Sequence, residues 1–162
     1  MNTDVSVCKL AQDTVRLLKK RRLRLSFAES CTGGMVSAAI TSAAGSSAVL
    51  DISVITYSNW AKIEYTDVTE EVLSLHGAVS KETAVLMASG IRKRSGADIG
   101  IGITGIAGPN GGSPEKPVGT VYVAIDSDFD SQVRHFTFKG DRQTIREETT
   151  KQVLIMLQEK LE

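Results

Sequence analysis

Histidine and cysteine are scarce in this 162-residue chain, with two of each: His76 and His135, Cys8 and Cys31. No His-x-x-x-His or Cys-x-x-Cys spacing occurs, so a dedicated transition-metal site has almost no ligands to draw on. Two cysteines do not make a disulfide scaffold, and both are read as free thiols. Excess charge is lacking too, since 19 Lys plus Arg balance 19 Asp plus Glu. A protein that neutralises a nucleic-acid backbone or coats an anionic membrane needs a basic surplus or a dense basic patch, so neither is expected as a partner. No apolar run reaches the roughly 20 residues of a membrane helix. The first residues lack the basic-then-apolar plan of a secretory signal, and a cytoplasmic location is expected. The length fits one domain, 1–162, with its own core.

What charge there is lies unevenly. Residues 30–50 and 99–114 carry none, and together they hold nine of the fourteen glycines. The first stretch is long enough to span a bilayer, but ten of its residues are Ser, Thr or Gly, which a membrane helix does not tolerate.

Hydrophobic periodicity outlines the elements. Val7, Ala11, Val15 and Leu18 share one helical face over residues 5–22, with Asn2, Thr3 or Asp4 available as a cap. Lys19 to Arg22 then suit the negative end of that helix. Leu23, Leu25 and Phe27 alternate with polar residues and predict a short strand, followed by a Gly-bearing turn and a helix of small residues through Ile40. A second strand is expected over 51–57, a short helix capped by Ser58-Asn59, another from Thr69 to Gly77, and a longer one over 81–95 capped by Ser80 and ended by Gly96. Residues 98–104 alternate Ile with Gly, a strand whose bare face something must approach closely. A Gly/Pro-rich loop spans 105–119. Strands near 119–126 and 132–138 precede a final helix from Asp141, with Ile145, Thr149, Val153, Met156 and Leu157 inward. About five strands and four or five helices predict an α/β fold, a three-layer α/β/α sandwich with a mixed sheet.

Several residues could carry chemistry. Ser30 stands between a strand and a helix, where a side chain is exposed at the sheet's carboxyl edge and helix amides can receive an oxyanion or phosphate. Capping by Ser30 or Thr32 is an equal alternative on spacing alone. Cys31 is a rival nucleophile, ranked second because neither His suggests a partner for it. Tyr57 and Lys62 are the candidate bases, and Lys62 needs partial desolvation to serve. The 104–119 loop ends in no Gly-Lys-Ser/Thr, so it is not a phosphate loop of the Walker type, and its length suits a functional lid. Arg142 and Arg146 put guanidinium groups at a helix start, which is favourable only with something anionic nearby. His76 reads as a helix-end dipole partner, and Trp60 as core, interface or a stacking surface.

Taken together, Ala28-Glu29-Ser30-Cys31-Thr32-Gly33-Gly34, Tyr57-Ser58-Asn59 with Lys62, His76-Gly77-Ala78-Val79-Ser80, Gly102 to Pro109 through Gly111-Gly112 to Lys116-Pro117-Val118-Gly119-Thr120, and Gly140-Asp141-Arg142 with Arg146 resemble the CinA C-terminal domain family. That family includes stand-alone nicotinamide-nucleotide amidases, and the resemblance runs over nearly the whole chain. It implies hydrolysis of the carboxamide of nicotinamide mononucleotide to nicotinate mononucleotide and ammonia, in pyridine-nucleotide recycling, with no metal or cofactor. Carried over by motif, Ser30 is the nucleophile, Lys62 its base and Tyr57 a partner in positioning or proton transfer. Thr32, Gly33, Thr104 and Gly105 supply oxyanion and substrate contacts, and Arg142 holds the phosphate or assists the reaction. Trp60 differs from the small or acidic residue expected at its place in the motif.

The implied partner is a small nucleotide, and a homodimer is compatible with the sequence. Two other readings stay open: a non-catalytic nucleotide-binding module, with Ser30 as cap and phosphate ligand, and a regulatory module linked to competence or DNA damage.

Overall fold

The computed structural model describes residues 6–162. Helix α1 (Val7–Arg21) leads to strand β1 (Leu25–Glu29), helix α2 (Met35–Ser42), a 3-10 turn (Ser46–Ala48) and strand β2 (Leu50–Ile55). Helices α3 (Asn59–Tyr65), α4 (Glu70–His76) and α5 (Lys81–Ser95) follow, then strands β3 (Ile99–Gly105), β4 (Thr120–Ser127) and β5 (Gln132–Thr137), and helix α6 (Arg142–Leu161). The strands form one sheet in the order β2-β1-β3-β4-β5. Both β2 and β3 run parallel to β1, whereas β4 and β5 continue antiparallel. The expected mixed five-stranded sheet is present.

Helix starts follow local chemistry. The side chains of Ser58, Thr69, Ser80 and Asp141 each accept the amide three residues on, at the heads of α3, α4, α5 and α6. Helix α1 is capped by Ser6, while the expected caps Asn2, Thr3 and Asp4 lie outside the described residues. The three helices expected between β2 and β3 are all present, and the described residues hold six α-helices rather than the four or five counted from the sequence. The pair α3 and α4 is short enough that neither shows a full amphipathic repeat.

Two faces of the sheet are covered. Helices α1, α2 and α6 bury Val15, Leu18, Ile40, Val153 and Leu157 with Leu25, Phe27, Ile101 and Val123. On the other face α5 places Met87 and Ile91 against Ala28 and Val68, and Ala84 and Ala88 against Ala124. The bare glycine face of β3 is explained by α5. A Cβ on Gly100 would stand 2.1 Å from the Ala88 carbonyl oxygen, and one on Gly102 2.3 Å from that of Ala84. The helix backbone therefore rests directly on the strand, and the close approach is packing rather than ligand binding.

Because β1 sits between two parallel neighbours reached in opposite directions, the carboxyl ends of β1, β2 and β3 open on a common crevice. Such a point of reversal is where open α/β sheets bind ligands.

Candidate functional site

Ser30 follows β1 directly, its amide donating to the Ile103 carbonyl at 3.0 Å, which ties the turn to the end of β3. Tyr57 lies just past β2, and the Ser58 cap starts α3 so that Lys62, one turn in, points back under the sheet edge. Lys62 is only 2% exposed and Ser30 8%. The Lys62 Nζ stands 3.1 Å from Ser30 Oγ, 2.8 Å from the Thr56 carbonyl oxygen and 3.4 Å from that of Tyr57. Burial pulls the amine down to about 8, because a low-dielectric surrounding disfavours the charged form.

The crevice has a volume of about 280 Å³. Ser30, Tyr57, Lys62, Thr104, Gly105 and Arg142, all singled out in the sequence, line it together. Lys62 and Arg142 are the charged side chains among the described lining residues, so the crevice is walled by neutral groups with two cations. Arg142, at the head of α6, donates to the Gly108 carbonyl and to the Tyr57 phenol oxygen, both at 2.8 Å. It thereby joins the β2 end to the 106–119 loop. Lys116 ties the far part of that loop to the end of α4, donating to the His76 carbonyl at 2.7 Å. Thr104 donates its hydroxyl to the Ala78 carbonyl at 2.6 Å, leaving the oxygen's remaining lone-pair capacity as an acceptor.

Thr32 and Gly33 are not brought into the crevice. Thr32 is fully buried and gives its hydroxyl to Glu29 at 2.6 Å, while Gly33 sits against the Arg146 guanidinium. The amides at the head of α2 are also committed, since Gly34, Val36 and Ser37 donate to the Glu29 carboxylate. The helix start that the sequence offered for an oxyanion or phosphate is thus filled from within. Cys31 lines the crevice, yet its thiol is buried and pushed up to about 12 by desolvation, which keeps it protonated and a poor nucleophile.

Trp60 turns outward, 65% exposed, with its ring edge-on to Tyr65 at 6.0 Å. It lies outside the crevice lining, so the local difference in the motif leaves the serine and lysine geometry untouched. Neither histidine lines the crevice: His76 faces Glu82 at 3.7 Å and His135 stacks on Tyr122. Sequence reasoning missed Asn59, Asn110, Ala78 and Val79 as lining residues. It also left Glu29 without a role, although an acid ending an apolar strand just before a helix is a legible signal for capping from the strand side.

Fold and crevice together define a class: a three-layer α/β/α domain in which a serine at the end of a parallel strand meets a buried lysine from the neighbouring helix α3. The CinA C-terminal domain model matches residues 7–161. The chain belongs to the CinA C-terminal domain family. It is 48% identical over 137 residues to a CinA-like protein of Syntrophotalea carbinolica, covering 85% of this chain and 33% of that protein. The chain spans about one third of the length of the curated relatives it matches. Among solved structures it is similar to the competence/damage inducible protein CihA from Agrobacterium tumefaciens, with a TM-score of 0.91, 41% identity and 93% of each chain covered. It is also similar to the competence damage-inducible protein A from Klebsiella pneumoniae, with a TM-score of 0.93, 38% identity and coverage of 97% of this chain and 98% of that one.

Proposed function

We propose that the chain hydrolyses the carboxamide of nicotinamide mononucleotide, releasing ammonia and nicotinate mononucleotide, with Ser30 as nucleophile and Lys62 as its base. One observation carries the mechanism. A neutral amine has two hydrogens and one lone pair, and the two carbonyls of Thr56 and Tyr57 take the hydrogens of Lys62. The lone pair is left for the Ser30 hydroxyl at 3.1 Å. With the amine at about 8, a useful fraction is neutral at physiological pH, as a general base requires.

In the first half-reaction Lys62 takes the Ser30 proton as Oγ bonds to the carboxamide carbon. The Cys31 amide, first after the nucleophile, is where such turns present a donor to the oxyanion. The Lys62 ammonium returns its proton to the carboxamide nitrogen, the C–N bond breaks, and ammonia leaves an ester on Ser30. Water, deprotonated by the same amine, attacks that ester; the carboxylate leaves and Oγ recovers its proton. The Thr104 oxygen is suited to accept from the carboxamide NH2. Arg142, aligned by the Tyr57 phenol, supplies positive charge for the nucleotide phosphate.

The test is ammonia release from nicotinamide mononucleotide and a panel of pyridine nucleotides, with EDTA present. The expected result is turnover by the wild-type protein and a loss of at least about 1,000-fold in Ser30→Ala, the scale seen when a nucleophile is removed. Full activity in Ser30→Ala would sink the mechanism. Saturable binding with no turnover would assign the crevice to nucleotide binding alone.

A further inference from the structure

The turn that carries Ser30 is gripped by two opposite charges that do not meet. On the sheet side, the wholly buried Glu29 carboxylate accepts from Thr32 Oγ1 at 2.6 Å, from the amides of Gly34, Val36 and Ser37 at 2.9, 3.3 and 2.9 Å, and from the Ser37 hydroxyl. On the α6 side, Arg146 donates from Nε to the Cys31 carbonyl at 3.1 Å and from Nη2 to the Thr32 carbonyl at 3.0 Å, with Gln143 Oε1 as a weaker third partner at 3.4 Å. Among the described residues Arg146 has no carboxylate partner and Glu29 no cation partner. An anion thus collects the amides and a cation collects the carbonyls of one short backbone stretch.

The composition of the stretch explains the need. Ser30 to Gly34 holds only small side chains, and Gly33 and Gly34 have φ of 56° and 98°. Such a segment has little side-chain mass to lock it by packing, so charge-assisted hydrogen bonds must fix it. A nucleophile has to be held within about 0.5 Å of its productive place, and a displacement of roughly 1 Å costs about 100-fold in rate.

We infer that Glu29 and Arg146 are positioning residues that act as one clamp on the Ser30 turn, setting the backbone from which Oγ meets the Lys62 amine. Neither lines the crevice, so neither touches substrate. The inference rests on Ser30 being the nucleophile, but not on the identity of the amide.

The experiment measures covalent labelling of Ser30 by a fluorophosphonate probe, followed by mass spectrometry across pH 6–10 on the full chain. Glu29→Gln and Arg146→Met are each expected to slow labelling by about 10–100-fold. The midpoint of the pH profile should stay near the wild-type value of about 8, because Lys62 is untouched. The double variant should fall no more than about threefold below the worse single one, since both groups hold the same turn. Val153→Ala, a core change away from the crevice, serves as the stability control and is expected to label within about twofold of wild type. Should Glu29→Gln fail to fold, Thr32→Val, which removes one donor to the carboxylate, carries the test with a several-fold loss. Labelling of the folded clamp variants within about threefold of wild type, a loss matched by Val153→Ala, or a displaced pH midpoint would each overturn the clamp. If wild-type Ser30 labels but no pyridine nucleotide releases ammonia, the amidase reading fails and the clamp stands or falls on the variants. If wild-type Ser30 does not label, both fail.

Discussion

In the proposed mechanism Lys62 can act as a base because of where it lies. Its side chain is long enough to run from α3 under the sheet edge, and burial there brings the amine to about 8. The labelling or acylation rate of Ser30 should therefore rise with pH and level off above that value, because only the neutral amine accepts the serine proton. A flat profile from pH 6 to 10 would remove Lys62 from the role. The same shift has a stability consequence of fixed sign. The folded-state value lies below the roughly 10.4 of an unfolded lysine, so between the two the unfolded chain binds more protons. The stability of wild type relative to Lys62→Met should then rise with pH across that window, as read from denaturant midpoints at pH 7, 8, 9 and 10. Cys31, next to Ser30, is moved the opposite way by the same cause, since burial opposes a thiolate as it opposes an ammonium.

At the scale of elements, each strand of the parallel half leads to a residue that lines the crevice: β1 to Ser30, β2 to Tyr57, β3 to Thr104 and Gly105. The charge-free stretches now have separate causes. Residues 99–105 are neutral because β3 is buried on both faces, with isoleucines toward α1, α2 and α6 and glycines beneath α5. Residues 30–50 are neutral partly for the turn and partly because α2 packs on the sheet through small side chains. Only Ser30 and Cys31 of that stretch reach the crevice. The contact of α5 with β3 makes a testable demand. Gly102→Ala places a methyl 2.3 Å from the Ala84 carbonyl oxygen, and the forced shift is expected to destabilise the fold by about 1–3 kcal/mol, as overpacked cores do. Urea unfolding of the variant measures it, and an unchanged midpoint would mean that α5 lifts freely from the sheet. Caps and helix ends were largely legible in the sequence, since a Ser, Thr or Asp side chain accepting the amide three residues on is local chemistry. The same caps made the division of the 59–95 region into three helices legible, although α3 and α4 have only seven residues each and barely complete two turns.

Over the whole molecule, zero net charge coexists with a crevice whose charged lining residues are both cations. An anionic small molecule is the ligand such a crevice favours, and in the proposed function the phosphate supplies that charge. Arg142→Ala is expected to raise KM for the nucleotide by about 10–100-fold, the equivalent of one charge-assisted hydrogen bond. The change for the corresponding nucleoside should be much smaller, and steady-state kinetics on the pair decides it. Equal effects on both would place Arg142 in holding the Gly108 loop rather than in binding phosphate. Among the described residues no helix is long and apolar enough to cross a membrane.

The sequence by itself determined the elements, the mixed sheet and the short list from which the crevice is built. Hydrophobic period, caps and glycine placement act over a few residues and are written in the local order of the chain. Tertiary structure decided which of those residues meet. Ser30 and Lys62 are 32 positions apart, and Tyr57 and Arg142 are 85 apart. Their contacts depend on strand order and on α6 returning to the edge of the sheet. Tertiary structure also withdrew Thr32 and Gly33 from the crevice, since Glu29 claims the donors of their turn. It set the Lys62 amine near 8, because desolvation is a property of the packed interior and leaves no mark on the sequence around a lysine.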